Sequence, residues 1–206
     1  MKYEWRKQDK NLYLSKSKPE VIDVPAMNYF MIDGKGNPND PSFSDYIEAL
    51  YSLSYAVRMS YKSEIVPEGY YEYTVFPLEG IWDLAEEARD KEFLDKNKLI
   101  YTLMIRQPEF VTEKLARDII ERVKIKKSNK LLDKVKFNSI HEGLCVQMMH
   151  IGSYDDEPKS FRIMEEYCMA NGLIRKEKTH REIYISDFRK TQPEKLKTVL
   201  RFKVTI

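Results

Sequence analysis

Hydrophobic and polar positions along the chain fall into short alternating runs separated by three stretches of helical spacing. Val21, Ile22, Val24 and Met27-Asn28-Tyr29-Phe30-Met31-Ile32 predict a strand over about 19–32, broken by the turn residues Asp33-Gly34-Lys35-Gly36-Asn37-Pro38. Phe43, Tyr46, Ile47, Leu50, Leu53, Val57 and Tyr61 then recur at helical spacing, giving a helix over about 42–62 capped by Ser42 or Asp40 beside Pro41. Residues 70–76 alternate with strand-favouring tyrosines, a short charged helix is expected after Trp82, and 99–105 reads as another strand. Val111, Leu115, Ile119 and Val123 mark a second helix after Pro108. Strand 143–151 follows, then the breaker 152–158, and a helix carrying Phe161, Met164, Cys168 and Met169 that stops at Asn171-Gly172. Strand 180–186 and a terminal strand from Val199 to Ile206 close the chain.

The order of elements repeats. Each half reads strand, glycine-containing acidic turn, helix, strand, strand; Ile32 to Pro41 is matched by Ile151 to Pro158, and each leads into a helix with an early phenylalanine, Phe43 or Phe161. The predicted fold is α+β: tandem duplicated strand-helix-strand-strand modules forming a pseudo-twofold antiparallel sheet, with helices on one face and a central ligand cleft. All 206 residues make one domain, with a first repeat over about 19–107, a connector over about 108–137 and a second repeat over about 138–206.

Composition narrows the function classes. A net charge of +2 with a third of residues charged gives no field that favours nucleic acid. The lysine-rich segment 124–136 has a possible phosphate affinity, but Leu131, Leu132 and Val135 within it favour a helix or connector with a solvated face. No long apolar run could span a membrane, and Met1-Lys2-Tyr3-Glu4-Trp5-Arg6 is unlike a signal peptide, so the expected location is cytoplasmic. Cys145 and Cys168 are then expected as buried free thiols. No metal site and no cofactor are expected, because His141, His150 and His180 fall in different elements and no glycine-rich phosphate loop is complete.

Carboxylates and aromatic rings remain. The chain has 14 tyrosines, more than a core alone requires, and a phenol suits a surface that is only intermittently wet. In 180–187 alternation sends Arg181, Ile183 and Ile185 to one face, and His180, Glu182, Tyr184 and Ser186 to the other. If the isoleucine face lies on helices, Glu182 and Tyr184 project from the far side of the sheet. Residues 69–82 place Tyr71 and Tyr73 on one strand face, and a bend at Pro77 can present Glu79 and Trp82 at its rim. Together these residues would make a cleft with an acidic floor and aromatic walls, suited to planar hydrophobic or cationic molecules. A buried glutamate there can also act as a general base toward water. The plain alternatives are a surface ion pair for Glu182 and core packing for Tyr71 and Trp82.

Phe76-Pro77-Leu78-Glu79-Gly80-Ile81-Trp82, His180-Arg181-Glu182-Ile183-Tyr184-Ile185-Ser186-Asp187 and the tandem repeat resemble the GyrI-like small-molecule-binding family, in its stand-alone branch, from about Val21 to Val204. The resemblance implies a xenobiotic-binding site in which Glu182 matches a buried glutamate that binds lipophilic cations in multidrug-sensing regulators. Such regulators carry an added helix-turn-helix domain, for which this chain has no room ahead of residue 19. One stand-alone branch hydrolyses cyclopropane-bearing DNA-alkylating compounds in an aromatic cage. By that resemblance Glu182 and Tyr71 are the candidate catalytic residues, Glu182 positioning or deprotonating a water and Tyr71 walling the cage with Trp82. Tyr184, Tyr73, Glu79 and His180 are the remaining candidate ligand-binding residues. Three functions stay open: hydrolysis of a planar electrophile, drug sequestration without chemistry, and binding of a peptide or protein.

Overall fold

A computed structural model describes residues 2–63, 66–88 and 94–206. Its strands are β1 (Glu20–Val24), β2 (Met27–Lys35), β3 (Leu78–Leu84), β4 (Leu99–Arg106), β5 (Lys136–Ile140), β6 (Gly143–Ile151), β7 (Ile174–Arg175), β8 (His180–Tyr184) and β9 (Lys197–Thr205). The α-helices are α1 (Trp5–Gln8), α2 (Lys10–Tyr13), α3 (Phe43–Arg58), α4 (Glu113–Lys126) and α5 (Glu157–Ala170). The described strands with a stated register pair antiparallel, and the strand-helix-strand-strand order occurs twice, as β2-α3-β3-β4 and, with the two-residue β7 inserted after the helix, as β6-α5-β8-β9. The fold is α+β.

Two compact units divide the chain: one comprises 1–4, 27–78 and 83–140, the other 5–26, 79–82 and 141–206. Strand β3 therefore contributes to both. In the first unit β4 pairs with β2 and β2 with β5. Helix α3 buries Ala49, Leu50, Leu53 and Val57, a stripe at helical spacing, and contacts both β2 and β4. Helix α4 starts at Thr112, whose hydroxyl accepts the Leu115 N–H at 3.2 Å, and buries Ala116, Ile119 and Val123.

Gly34 sits opposite Tyr101 in the β2–β4 register. A Cβ at Gly34 would lie 2.2 Å from Tyr101 Cε2. The ring cannot yield, because it is 3 % exposed and held edge-on by Phe43 at 5.3 Å and Tyr46 at 5.7 Å. Gly34→Ala is expected to destabilise this unit by about 1–3 kcal/mol, the cost of overpacking a filled core. Urea denaturation of the variant checks it, and an unchanged midpoint would show that the tyrosine moves freely.

In the second unit the strand order is β1-β6-β9-β8-β3, with the short β7 on β9. The register aligns Gln147, Arg201 and Arg181 in one row, and Met148, Leu200, Glu182 and Gly80 in the next. Adjacent rows point to opposite faces. One face carries Val146, Met148, Leu200, Phe202 and Val204 against Met164 and Cys168 of α5. The other carries Arg181, Arg201 and Gln147, and the N-terminal segment is tied to it: Arg201 Nη2 donates to the Leu12 carbonyl at 2.6 Å and Gln147 Nε2 to the Asn11 carbonyl at 2.6 Å. Both cysteines are free and buried.

Several expectations change. The stretch 19–32 is two strands divided at Pro25 and Ala26, and the second runs on through Asp33 to Lys35. Residues 70–76 are not a strand. Their phenols reach inward instead, Tyr70 to the Arg58 carbonyl at 2.7 Å and Tyr73 to the Ser54 carbonyl at 3.3 Å, and only Tyr73 bridges, to Tyr3. The expected bend after Pro77 is the start of β3. The segment 108–137 holds α4 and the first residues of β5, an edge strand on β2. Of the short helix after Trp82, a 3-10 turn at Glu86–Ala88 is present and 89–93 lie outside the described residues.

Candidate functional site

The helix α5 lies on the Glu182 face of the sheet, not on the isoleucine face. Ile183 is fully buried on the side bearing Arg181, whereas Glu182 points to the side that α5 covers. Alternation fixes which residues share a face; it does not say which face meets a helix, and the buried guanidinium of Arg181 gives its face a polar look.

On the helix-covered side a chain of hydrogen bonds runs through four strand residues. Trp82 Nε1–H donates to the Tyr184 hydroxyl at 2.8 Å, and that hydroxyl donates to Glu182 Oε2 at 2.8 Å. The other oxygen, Oε1, is 3.0 Å from His180 Nε2. Trp82 meets this group because it pairs with His180 across β3–β8, and Gly80, paired with Glu182, puts no side chain beside the carboxylate. Trp82 and Glu182 are buried, at 6 % and 8 % exposed, while His180 and Tyr184 are half-buried. The rings of Tyr154 and Phe161 stand edge-on to Tyr184 and His180, with centroids at 6.0 and 4.6 Å.

Helix α5 adds a second carboxyl that the sequence reading missed. Glu157 opens the helix beside Pro158 and starts the buried stripe that continues through Ser160, Met164 and Cys168. Read as part of a turn, 157 looks solvated; counted back along the stripe from Met164, it occupies a core-facing position. Burial, the charge of Glu182 and a hydrogen bond to Glu182 together push the Glu157 pKa well above the usual carboxylate range. The Tyr184 phenol is likewise pushed up, first by burial and then by the Glu182 charge, so it stays a donor. One oxygen of each glutamate and an imidazole nitrogen of His180 all lie within 4.8 Å of one another, a cluster of three ligand-bearing groups that no sequence spacing announces.

The remaining candidates lie elsewhere. Glu79 is on the opposite face from Glu182, 1 % exposed, with Arg181 Nη1 at 2.5 Å. It belongs to a buried ion network: Arg181 Nε is 3.0 Å from Glu142 Oε1 and Arg201 Nη1 is 3.2 Å from Glu142 Oε2. The strand runs straight through Glu79 to Trp82, so alternation separates the two residues that a bend was expected to bring to one rim. Tyr73 is 1 % exposed and packs against α3 in the first unit, so it is a core residue. Tyr71, in the same unit, is half-buried among Tyr3, Phe110 and Tyr73, with centroids at 5.7, 5.3 and 6.4 Å. Among the described residues no helix is long and apolar enough to cross a membrane.

Solved structures share this fold. A hydrolase from Listeria innocua is 37 % identical over 100 % of both chains with a TM-score of 0.90. An uncharacterized conserved protein from Listeria innocua is also 37 % identical, over 99 % of this chain and 100 % of that one, with a TM-score of 0.90. The C-terminal domain of EcmrR, 16 % identical over 91 % of this chain and 97 % of its own with a TM-score of 0.51, shares the fold. No curated protein matches significantly. The GyrI-like small molecule binding domain matches residues 17–205, nearly the whole chain, and the chain belongs to that family.

Proposed function

We propose that the Glu182 cluster binds planar hydrophobic or cationic xenobiotics and hydrolyses electrophiles among them, in particular compounds bearing a strained cyclopropane, for cellular protection. The observation that carries this reading is the second carboxyl: Glu157, its pKa pushed well above the usual carboxylate range by burial and the Glu182 charge, lies beside a Glu182 side chain that Tyr184 and His180 orient. An acid and a base side by side suit a hydrolytic ring opening. The oxygen of a water bonds to a ring carbon as Glu182 takes the water's proton. The carbon–carbon bond of the cyclopropane breaks, and its electron pair passes to a conjugated carbonyl oxygen that Glu157 protonates. The indole of Trp82 and the ring of Tyr154 supply flat apolar surface for the substrate. Similarity to a hydrolase from Listeria innocua supports the catalytic half of the reading; the family description, which names binding alone, favours sequestration as the second reading.

Binding is tested by the emission of Trp82 in a Trp5→Phe background, which leaves one indole in the chain. Titration with a planar aromatic cation such as ethidium is expected to quench that emission. Glu182→Gln should weaken the cation by about 10-fold or more, about 1.4 kcal/mol, and weaken a neutral planar compound much less. Equal affinities in the two proteins would remove Glu182 from the binding site.

A further inference from the structure

We propose that Glu157, His180 and Glu182 form a binding site for a divalent transition-metal ion of the zinc type. The inference concerns the same cluster but does not rest on the organic-ligand reading. Two elements deliver the donors: the start of α5 supplies Glu157, and alternate positions of β8 supply His180 and Glu182. Their ligand atoms lie within 4.8 Å of one another. A zinc ion sits about 2.0–2.2 Å from imidazole nitrogen and carboxylate oxygen, so tetrahedral donors stand roughly 3.4 Å apart. His180 Nε2 and Glu182 Oε1 now stand at hydrogen-bond distance, 3.0 Å, and part by about 0.4 Å to take that spacing. The Glu157 carboxyl, within 4.8 Å of both, closes the third side by approaching to about 3.4 Å.

A second observation points to an occupant. Glu157 is 6 % exposed, and its Oε1 has no hydrogen-bond partner. A buried carboxyl oxygen without a partner has lost its hydration with nothing in return, and a cation held by the cluster would satisfy it. One nitrogen and two oxygen donors suit zinc or cobalt better than calcium, which takes six to eight oxygens. Three protein ligands leave a fourth position open, the pattern of a site that holds water or a small ligand rather than a closed structural one.

The surroundings resemble an outer shell. Tyr184 donates to Glu182 Oε2, and Trp82 donates in turn to Tyr184, which fixes the carboxylate while leaving Oε1 for the ion. Phe161 stands edge-on to His180 at 4.6 Å and limits rotation of the imidazole. To coordinate through Nε2, His180 carries its proton on Nδ1, and Glu157 releases its own. A bound ion therefore occupies both carboxyls that the hydrolytic reading uses, and metal and organic cation exclude each other.

The test titrates the full chain, freed of metal by chelator, with Co²⁺ followed by visible absorption and with Zn²⁺ followed by calorimetry. Uptake of one ion per chain with the intense visible band of four-coordinate cobalt is expected. His180→Ala and Glu157→Gln should each weaken uptake at least 10-fold, and His141→Ala should leave it unchanged. No stoichiometric uptake at millimolar ion, or equal affinity in the His180 and Glu157 variants, overturns the site. Should a variant fail to fold, Mn²⁺ added to the native chain must selectively broaden the His180 imidazole signals in NMR spectra; unbroadened signals overturn it equally. Ethidium binding measured in excess chelator reads the organic-ligand proposal separately, so failure of either is recognised without the other.

Discussion

Glu142→Gln is expected to lower the stability of the chain by about 3–5 kcal/mol, because it leaves two guanidiniums buried without their shared carboxylate. Arg181 and Arg201 are each 1 % exposed, and Glu142, whose side chain is 6 % exposed, contacts both. Glu79 stays with Arg181 and Gln147 with Arg201, so the variant keeps some partners but loses charge balance. The effect is large for a further reason: Arg201 also anchors the Leu12 carbonyl of the N-terminal segment, so loosening it frees the chain that covers this face. Urea denaturation at neutral pH reads the loss.

The same network sets a pH dependence. Burial pushes the Glu142 pKa up, but the guanidiniums of Arg181 and Arg201 outweigh it and hold the group below its ordinary 4.5. A folded pKa below the unfolded one means stability that is present above about 4.5 and lost as pH falls through the folded value. The native chain should therefore lose stability on acidification below 4.5 more steeply than Glu142→Gln. Parallel curves would show that Glu142 carries no such linkage.

Glu182→Gln should lower turnover of a cyclopropane-bearing substrate by about 10²–10⁴-fold, the range for loss of a positioned general base. The amide keeps the size of the side chain and can still meet Tyr184, so the fold is retained and neutral ligands still bind. Its nitrogen cannot take a proton from water, and Glu157 loses a neighbouring charge that raises its pKa. Glu157→Gln should cost turnover through the other role, since the leaving oxygen then lacks its proton donor. Removing both should cost little more than removing one, because the two act as a unit.

Much of this architecture is legible in the spacing of apolar residues. Helix α3 follows the helical stripe because it buries one continuous face, and strand β6 at 143–151 shows as a largely apolar run because it is buried on both faces. The stretch 70–76 misleads because its tyrosines satisfy strand propensity while their hydroxyls are drawn inward to the carbonyls of α3. Glu182, His180 and Tyr184 share a face by simple alternation, and Trp82 joins them once β3 and β8 pair. Glu79 shows the limit: its partner, Arg181, is 102 residues away, and only the register reveals that it faces away from Glu182. Glu157 was readable from the stripe of α5, but only by allowing a carboxylate in a position that helical spacing assigns to the core.

Mass spectrometry of a cyclopropane-bearing alkylator incubated with the protein in excess chelator tests the central claim most directly. The native chain should yield a product heavier by one water, and Glu182→Gln should return the compound unaltered while still binding it. Unaltered compound from the native chain, or the hydrated product at equal rates from both proteins, would contradict the assignment of Glu182 as the base.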